Sequence, residues 1–416
     1  MASFIFTGTD EANLMKIKFG EVIEKQFNKS NVILGRIKKM NDNVGKQIDR
    51  PLIQSIGGGV GNGTLPTANN NKIGLVKLND PKSLYAVVQI DRQTMKRGST
   101  SEAAYVNMSK FPVKIATESF NRNLSRQILK NDVAGVGALL TWVTGNTATS
   151  TGKVYFDKAS TYDLAAFEAV EIGDLIDMID SDGVTVNNEG IEVVDVVIVS
   201  PASGYAGANS YIEFSAALGA AVANNDYLVM QNSNLLEIDG IKGVLAATSG
   251  TYKNVSIGRR YKSYRKDASS AALSTDLLND LVINVKKQSG ESPDLLLMSY
   301  HQFIKLLNLL EDQKRYPLPA RDSKFKGQIS FMGVEFMSAD GPIACVPDRM
   351  MDADEIFALN TSKIELHVTP GGFEWMDEDG TVFLRDAGDS YSARYGGYAE
   401  LFVNPHFQGQ LYGLAR

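Results

Sequence analysis

The groups in this chain that could carry chemistry are few and scattered. It has three histidines, His301, His367 and His406, and a single cysteine, Cys345. No two histidines stand three or four apart, so no helix can present the paired imidazoles of a zinc protease. No Gly-x-Ser-x-Gly elbow occurs, which leaves His367 and His406 without a serine nucleophile of that type. His301 is expected to open a helix as a solvated or capping residue, and Cys345, between Ala344 and Val346, to be buried and inert. The cluster Gly57-Gly58-Gly59-Val60-Gly61-Asn62-Gly63 invites a phosphate-loop reading, but Gly63 is followed by Thr64 where the motif requires lysine, so a flexible hinge is expected. Asp177, Asp180 and Asp182-Gly183, like Asp377 and Asp379-Gly380, mimic calcium loops without the ligand spacing; Asp-Gly between strands is the ordinary mark of a turn. One pattern has the composition of a binding surface. From Tyr252 to Lys266 the cations Lys253, Arg259, Arg260, Lys262, Arg265 and Lys266 interleave with Tyr252, Tyr261 and Tyr264, suiting either nucleic acid or an acidic protein neighbour.

Composition narrows the classes further. The 416 residues are 44% apolar and 22% charged, enough for a sizeable core in a soluble, globular chain. No apolar run approaches the roughly 18 residues of a membrane span, and the first residues lack the basic-then-apolar order of a signal peptide. One cysteine excludes an intramolecular disulfide and a Cys-rich zinc site, fitting a reducing cytoplasm. The net charge of −6 conceals an asymmetry: residues 146–236 hold 2 basic and 13 acidic residues, a net of −11, so the remainder carries +5. Such a split points to modules facing different surroundings.

The elements that must position these groups follow from periodicity. Residues 10–39 space apolar groups as a broken helix. Two strand-like runs, Lys72–Leu78 and Leu84–Ile90, flank Asn79-Asp80-Pro81-Lys82 and read as a hairpin behind the glycine hinge. Residues 101–140 read as mainly helical, with Pro112 able to start a second helix at Val113. There Ile115, Phe120, Leu124 and Ile128 form an apolar stripe flanked by Arg122, Arg126 and Lys130. Short strands around 169–178, 191–199, 211–214 and 227–229, with turns at Asp182-Gly183 and Glu189-Gly190, predict a small β-sandwich or barrel. Beyond it, Ser274 caps a helix that Gly290 ends, Pro293–Met298 reads as a buried strand, and His301–Tyr316 as an amphipathic helix. A hairpin-like region is expected through Trp375–Leu384. The class is α+β, without regular β-α alternation.

The order of these features resembles the major capsid protein of tailed bacteriophages, the Hong Kong 97-like fold, in a form with an inserted β-rich domain. The phrases that carry the likeness are Gly63-Thr64-Leu65-Pro66, the helix Val113–Asn131, Glu237-Ile238-Asp239-Gly240-Ile241-Lys242-Gly243-Val244, Ser292-Pro293-Asp294-Leu295-Leu296-Leu297-Met298-Ser299, Phe331-Met332-Gly333-Val334, and Val346-Pro347-Asp348 leading to Ile356-Phe357-Ala358-Leu359-Asn360. The resemblance implies an N-terminal arm over 1–54, an extended β-hairpin loop over 55–100, a peripheral domain with a long spine helix over 101–145, the inserted domain over 146–236, and an axial domain with returning peripheral strands over 237–416. It implies a non-enzymatic subunit without cofactors, self-assembling as hexamers and pentamers into an icosahedral head around double-stranded DNA. Implied partners are copies of itself, scaffold, portal and head-completion or decoration proteins, and DNA contacted non-specifically, with no membrane. The shell would be assembled in the host bacterial cytoplasm. No long charged helical segment precedes the arm, so no scaffolding extension is expected, and nothing marks Lys72, Lys77 or Lys82 as a crosslinking lysine. Arg122, Arg126, Arg259, Arg260, Lys262 and Arg265 are the candidate inter-subunit or DNA-facing contacts. The rival reading is a cell- or carbohydrate-binding virion decoration protein that uses the β-rich module.

Overall fold

The computed structural model describes residues 32–55, 73–92, 102–130, 147–148, 152–155, 170–180, 182–197, 211–218, 226–312, 334–338, 341–376, 384–385 and 390–415. Three six-stranded sheets organise them. The first is built on the 14-residue strand Ser390–Val403. Lys82–Asp91 pairs antiparallel along one edge of it, from Ser390↔Asp91 to Ala399↔Lys82. Ile364–Val368, Glu374–Trp375 and Leu384–Arg385 pair antiparallel along the other, and Lys38–Met40 adds in parallel to Ile364–Val368. Leu84, Val88 and Ile90 alternate toward the core, while Tyr85 and Val87 face out.

The second sheet runs in the order Tyr264–Asp267, Gly409–Tyr412, Ile356–Leu359, Leu295–Met298, Gly341–Pro347, Val334–Ser338. Every residue of its central strand Leu295–Met298 is buried, as the unbroken apolar run predicts. Helix Thr275–Ser289 lies on it: the Ser274 side chain accepts the Leu277 amide, Gly290 ends the helix at φ 82°, and Leu278, Leu281, Val282 and Val285 are buried. That close approach requires Gly409, since a Cβ there would stand 2.5 Å from Val285 Cγ2. The third sheet, wholly antiparallel, takes Tyr227–Met230, Leu175–Ile179, Val186–Val197, Tyr211–Phe214, Lys153–Tyr155 and Thr147–Ala148 in that order. It encloses its own core of Val154, Ile176, Met178, Val193, Ile212, Phe214 and Leu228.

Several expectations are corrected. The runs at 73–78 and 82–91 do not form a hairpin with each other. Ile73–Leu78 pairs with the upstream strand Ile48–Ile53, and Lys82–Asp91 with the C-terminal strand. Each run alternates strongly enough to be a strand, but periodicity names no partner. The ribbon therefore spans Ile48–Leu78, and its connection, which holds the glycine cluster, lies outside the described residues. Pro112 does not start a helix; one helix runs from Glu102 to Lys130. A 29-residue helix packed on a sheet absorbs the single hydrogen bond that proline cannot donate. Glu189-Gly190 falls inside the strand Val186–Val197 and not in a turn. Trp375 and Leu384 each pair with the long strand and not with each other, and residues 377–383 between them lie outside the described residues. Of residues 10–39, the described part holds the short helix Val32–Arg36 and the start of strand Lys38–Met40.

The long helix buries Phe120, Leu124 and Ile128 as its stripe predicts. Phe120 meets Phe373 and Tyr395 edge-on, each ring 5.0 Å away. Beside the stripe stand Arg122, Arg126 and Lys130, and here the sequence reading is overturned. Arg126 is only 1% exposed and donates to Glu237 at 2.7 Å. Arg122 pairs with Asp174 at 3.0 Å and Glu171 at 2.6 Å, in the third sheet's module. Lys130 pairs with Asp352 at 3.1 Å, and Asp352 also receives Lys242, which reaches Glu355 at 3.1 Å. The face read as open to neighbours or DNA is covered by the protein's own return segments.

Breaking a buried pair strands the surviving charge. Arg126→Ala should therefore cost about 3–5 kcal/mol in urea unfolding, whereas Arg126→Met with Glu237→Leu should recover most of it. A surface arginine would show neither effect. Asp352 is held far below the ordinary carboxylate range; burial opposes this, and the charges of Lys130 and Lys242 outweigh it. Its contribution is thus present above its unfolded pKa, near 4, and is lost as pH falls toward the depressed folded value. Asp352→Asn should destabilise at neutral pH, and its difference from wild type should shrink progressively below about pH 4 in pH-dependent unfolding.

Candidate inter-subunit surfaces

The two-stranded ribbon Ile48–Ile53/Ile73–Leu78 is anchored at one end. Val76 and Leu78 are buried there, the Lys77 amide donates to the Lys253 carbonyl at 3.0 Å, and Arg50 pairs with Glu365 while lying 5.7 Å over the Phe402 ring. At the far end Ile53 stands opposite Ile73 with 65% and 63% of their surface exposed, and Leu75 is exposed beside them. A two-stranded ribbon is marginal alone in water, and this one ends in bare aliphatic groups.

A second exposed surface is cationic. The Tyr261 amide donates to the Gly258 carbonyl at 2.9 Å, closing a turn whose two central residues are Arg259 and Arg260. Tyr261 is buried and stacks on Tyr252 with ring centroids 6.1 Å apart, and burial raises both phenols' pKa values. Arg259, Arg260 and Lys262 are exposed. Arg265 is not their companion. It donates to Gln410 and to the Ala246 carbonyl, each at 3.0 Å, and lies 4.4 Å over the Tyr412 ring. The six candidate contacts thus divide. Arg122, Arg126 and Arg265 hold the subunit together, and three remain at the surface.

The chemistry-bearing side chains are not brought together. His301 sits at the start of helix Tyr300–Asp312, His406 in the turn Pro405–Phe407, His367 in the first sheet and Cys345 in the second. Cys345 is buried, which pushes its thiol up to about 12, so no thiolate forms near neutrality. His367 has a dyad-like geometry, with Nδ1 2.7 Å from Asp42 Oδ1 and Nε2 3.4 Å from Glu365, yet it is 0% exposed and no substrate can reach it. It ties the segment after Lys38–Met40 to the strand beside it. Asp177 accepts the amides of Gly190 and Asn232, and Asp182 accepts those of Val184 and Thr185, so both acids serve their own backbone. Asp377, Asp379 and Gly380 lie outside the described residues. Among the described residues no group of three or more His, Cys, Asp and Glu is placed to hold a metal ion. No described helix is long and apolar enough to cross a membrane.

Sequence reading missed the acids that mattered. Glu237, Asp239, Asp352, Glu355 and Glu400 have no pairing role in the sequence reading, yet they receive Arg126, Lys253, Lys130 and Lys242. Their one sequence signal is that Glu237 and Asp239 sit in a phrase rich in buried aliphatics, where an unpaired charge would be untenable.

The chain aligns with the capsid of cyanophage A-1(L) at 11% identity and a TM-score of 0.49, covering 93% of this chain and 94% of that one. It aligns with the capsid of Myoviridae phage XM1 at 11% identity and 0.40, covering 92% and 91%. A virus-like particle from Pyrococcus furiosus aligns at 10% identity and 0.42, covering 95% and 98%. No curated protein sequence matches the chain. The model of one family, the SU10 major capsid protein, matches residues 121–381, well over half of the sequence. The protein therefore belongs to the SU10 major capsid protein family, phage capsid subunits of structural and not catalytic kind.

Proposed function

We propose that this subunit assembles as hexamers and pentamers into the icosahedral head of a tailed bacteriophage, with a Hong Kong 97-like fold, enclosing double-stranded DNA. The observation that carries the reading is the ribbon Ile48–Leu78, fixed at its base and bare at its aliphatic end. An apolar arm held out by a stable body is best satisfied by a neighbour that covers it. Copies repeating that contact by rotation form rings, and contacts too weak singly add across a closed lattice.

In this reading the ribbon is the extended loop, drawn upstream to Ile48–Leu78 in place of 55–100. The helix Glu102–Lys130 with the first sheet is the peripheral domain, the second sheet the axial domain, and the acidic third sheet the inserted domain. The net −11 of residues 146–236 favours an outward position for that module, away from packaged DNA. Scaffold, portal and head-completion or decoration proteins are the expected partners, and assembly takes place in the host bacterial cytoplasm before the shell becomes part of the virion.

Ile53→Asp with Ile73→Ser should leave circular dichroism and thermal melting as in wild type, since both side chains are already largely solvated. Electron micrographs should then show free subunits or capsomers in place of closed shells. Normal shells from the double variant would refute the role given to the ribbon.

A further inference from the structure

We infer that the cationic turn of one subunit, Arg259, Arg260 and Lys262, docks on the acidic strand Val186–Val197 of a second copy, pairing with Glu189, Glu192 and Asp195. The inference rests on the shell reading above and names a contact within it.

The turn is built to hold its charges in place. The Tyr261–Gly258 hydrogen bond closes it, the Ile257 amide donates to Gly250 at 2.9 Å, and Tyr261 anchors it in the core against Tyr252. On its far side the Lys262 carbonyl accepts from Gln288 of helix Thr275–Ser289. The backbone is therefore ordered before any partner arrives, which removes part of the entropy cost of docking. Arg259 and Arg260 present guanidinium forks suited to carboxylates. Among the described residues none of these three cations has an ion-pair partner, although Arg122, Arg126, Lys130, Lys242 and Lys253 are each paired within the subunit.

The acidic strand shows the complementary state. Glu189, Glu192 and Asp195 are exposed and have no ion-pair partner among the described residues, while Glu213 beside them is paired with Lys153. Two irregularities in the ladder aim them outward. Val193 is buried, and strict alternation would turn Asp195 to the same side. The register shifts between Val193 and Asp195, and Asp195 faces solvent instead. Glu189 lies between Asn188 and Ile191, where the pairing with Leu175–Ile179 shifts as well. Three unpaired cations at and just after one turn are thus matched by three unpaired carboxylates on one strand, on a chain whose residues 146–236 carry −11 against +5 elsewhere. Opposite patches at different places on one subunit make a head-to-tail contact, which can run around a ring. A polyanion would also attract the turn, but it would leave the outward-aimed acids of the strand unexplained.

A charge exchange tests the pairing. Arg259→Glu with Arg260→Glu should melt as wild type does, since both side chains are solvated, yet yield about tenfold fewer assembled particles at equal subunit concentration. Glu192→Arg with Asp195→Arg should fail comparably, and all four changes together should restore particles to within about twofold of wild type. Wild-type assembly by the first variant, or no rescue by the fourfold one, would overturn the pairing. So would intact shells of the first variant that package less DNA, which would assign the arginines to a polyanion. If wild-type protein forms shells while the exchange has no effect, the pairing alone falls. If wild-type protein forms none, the shell reading falls with it.

Discussion

One row of cations on the long helix sets where the rest of the subunit sits. Arg122, Arg126 and Lys130 are spaced one turn apart along a single face, and each is held by an acid from a different part of the chain. Asp174 belongs to the acidic module, Glu237 to the segment returning from it, and Asp352 to the loop between strands of the second sheet. Burial raises the Asp174 pKa and lowers that of Arg122, so desolvation works against this pair. Buried ion pairs of this kind add little net stability, because aliphatic replacements often do as well. What they add is direction: a slipped module would leave a charge in the core without a partner.

The apolar side of the same helix supplies the stabilisation. Phe120, Leu124 and Ile128 belong to a core that runs continuously from the first sheet to one face of the second, through Leu295, Leu297 and Phe357. The other face of the second sheet has its own core beneath helix Thr275–Ser289. The acidic module is different in kind. Its core is closed within its own strands, and its ties to the helix are polar. A module with a separate core tolerates change in its outer strands without disturbing the body that carries it.

Against this interior, what stays unsatisfied at the surface is informative. Among the described residues Arg122, Arg126, Lys130 and Lys242 have acidic partners within the subunit, whereas Arg259 and Arg260 have none. Among the described residues several large aliphatic groups stand in water, and Ile53 and Ile73 of the ribbon are two of them, side by side. In the proposed shell, neighbouring copies would cover such groups. His301, His367, His406 and Cys345 are spread over four elements. Membership of a major capsid protein family fits that distribution.

Features that depend on near neighbours are legible in the residues alone. The Ser274 cap and Gly290 stop bound a helix through contacts three or four residues away, and the run Leu295–Met298 had to be a buried strand. The stripe Phe120, Leu124, Ile128 and the acidity of residues 146–236 were equally plain, and so was the resemblance to a capsid subunit. Partners, by contrast, are set by segments far apart in the chain. Lys82–Asp91 alternates as any half-buried strand does, and nothing within it names the strand some 300 residues away that completes its ladder. Arg126 stands on the polar side of its helix by every local measure, and only the return of Glu237, 111 residues later, makes that side interior. Side-chain periodicity is a property of one element, whereas burial of its polar face depends on what another part of the chain brings to it.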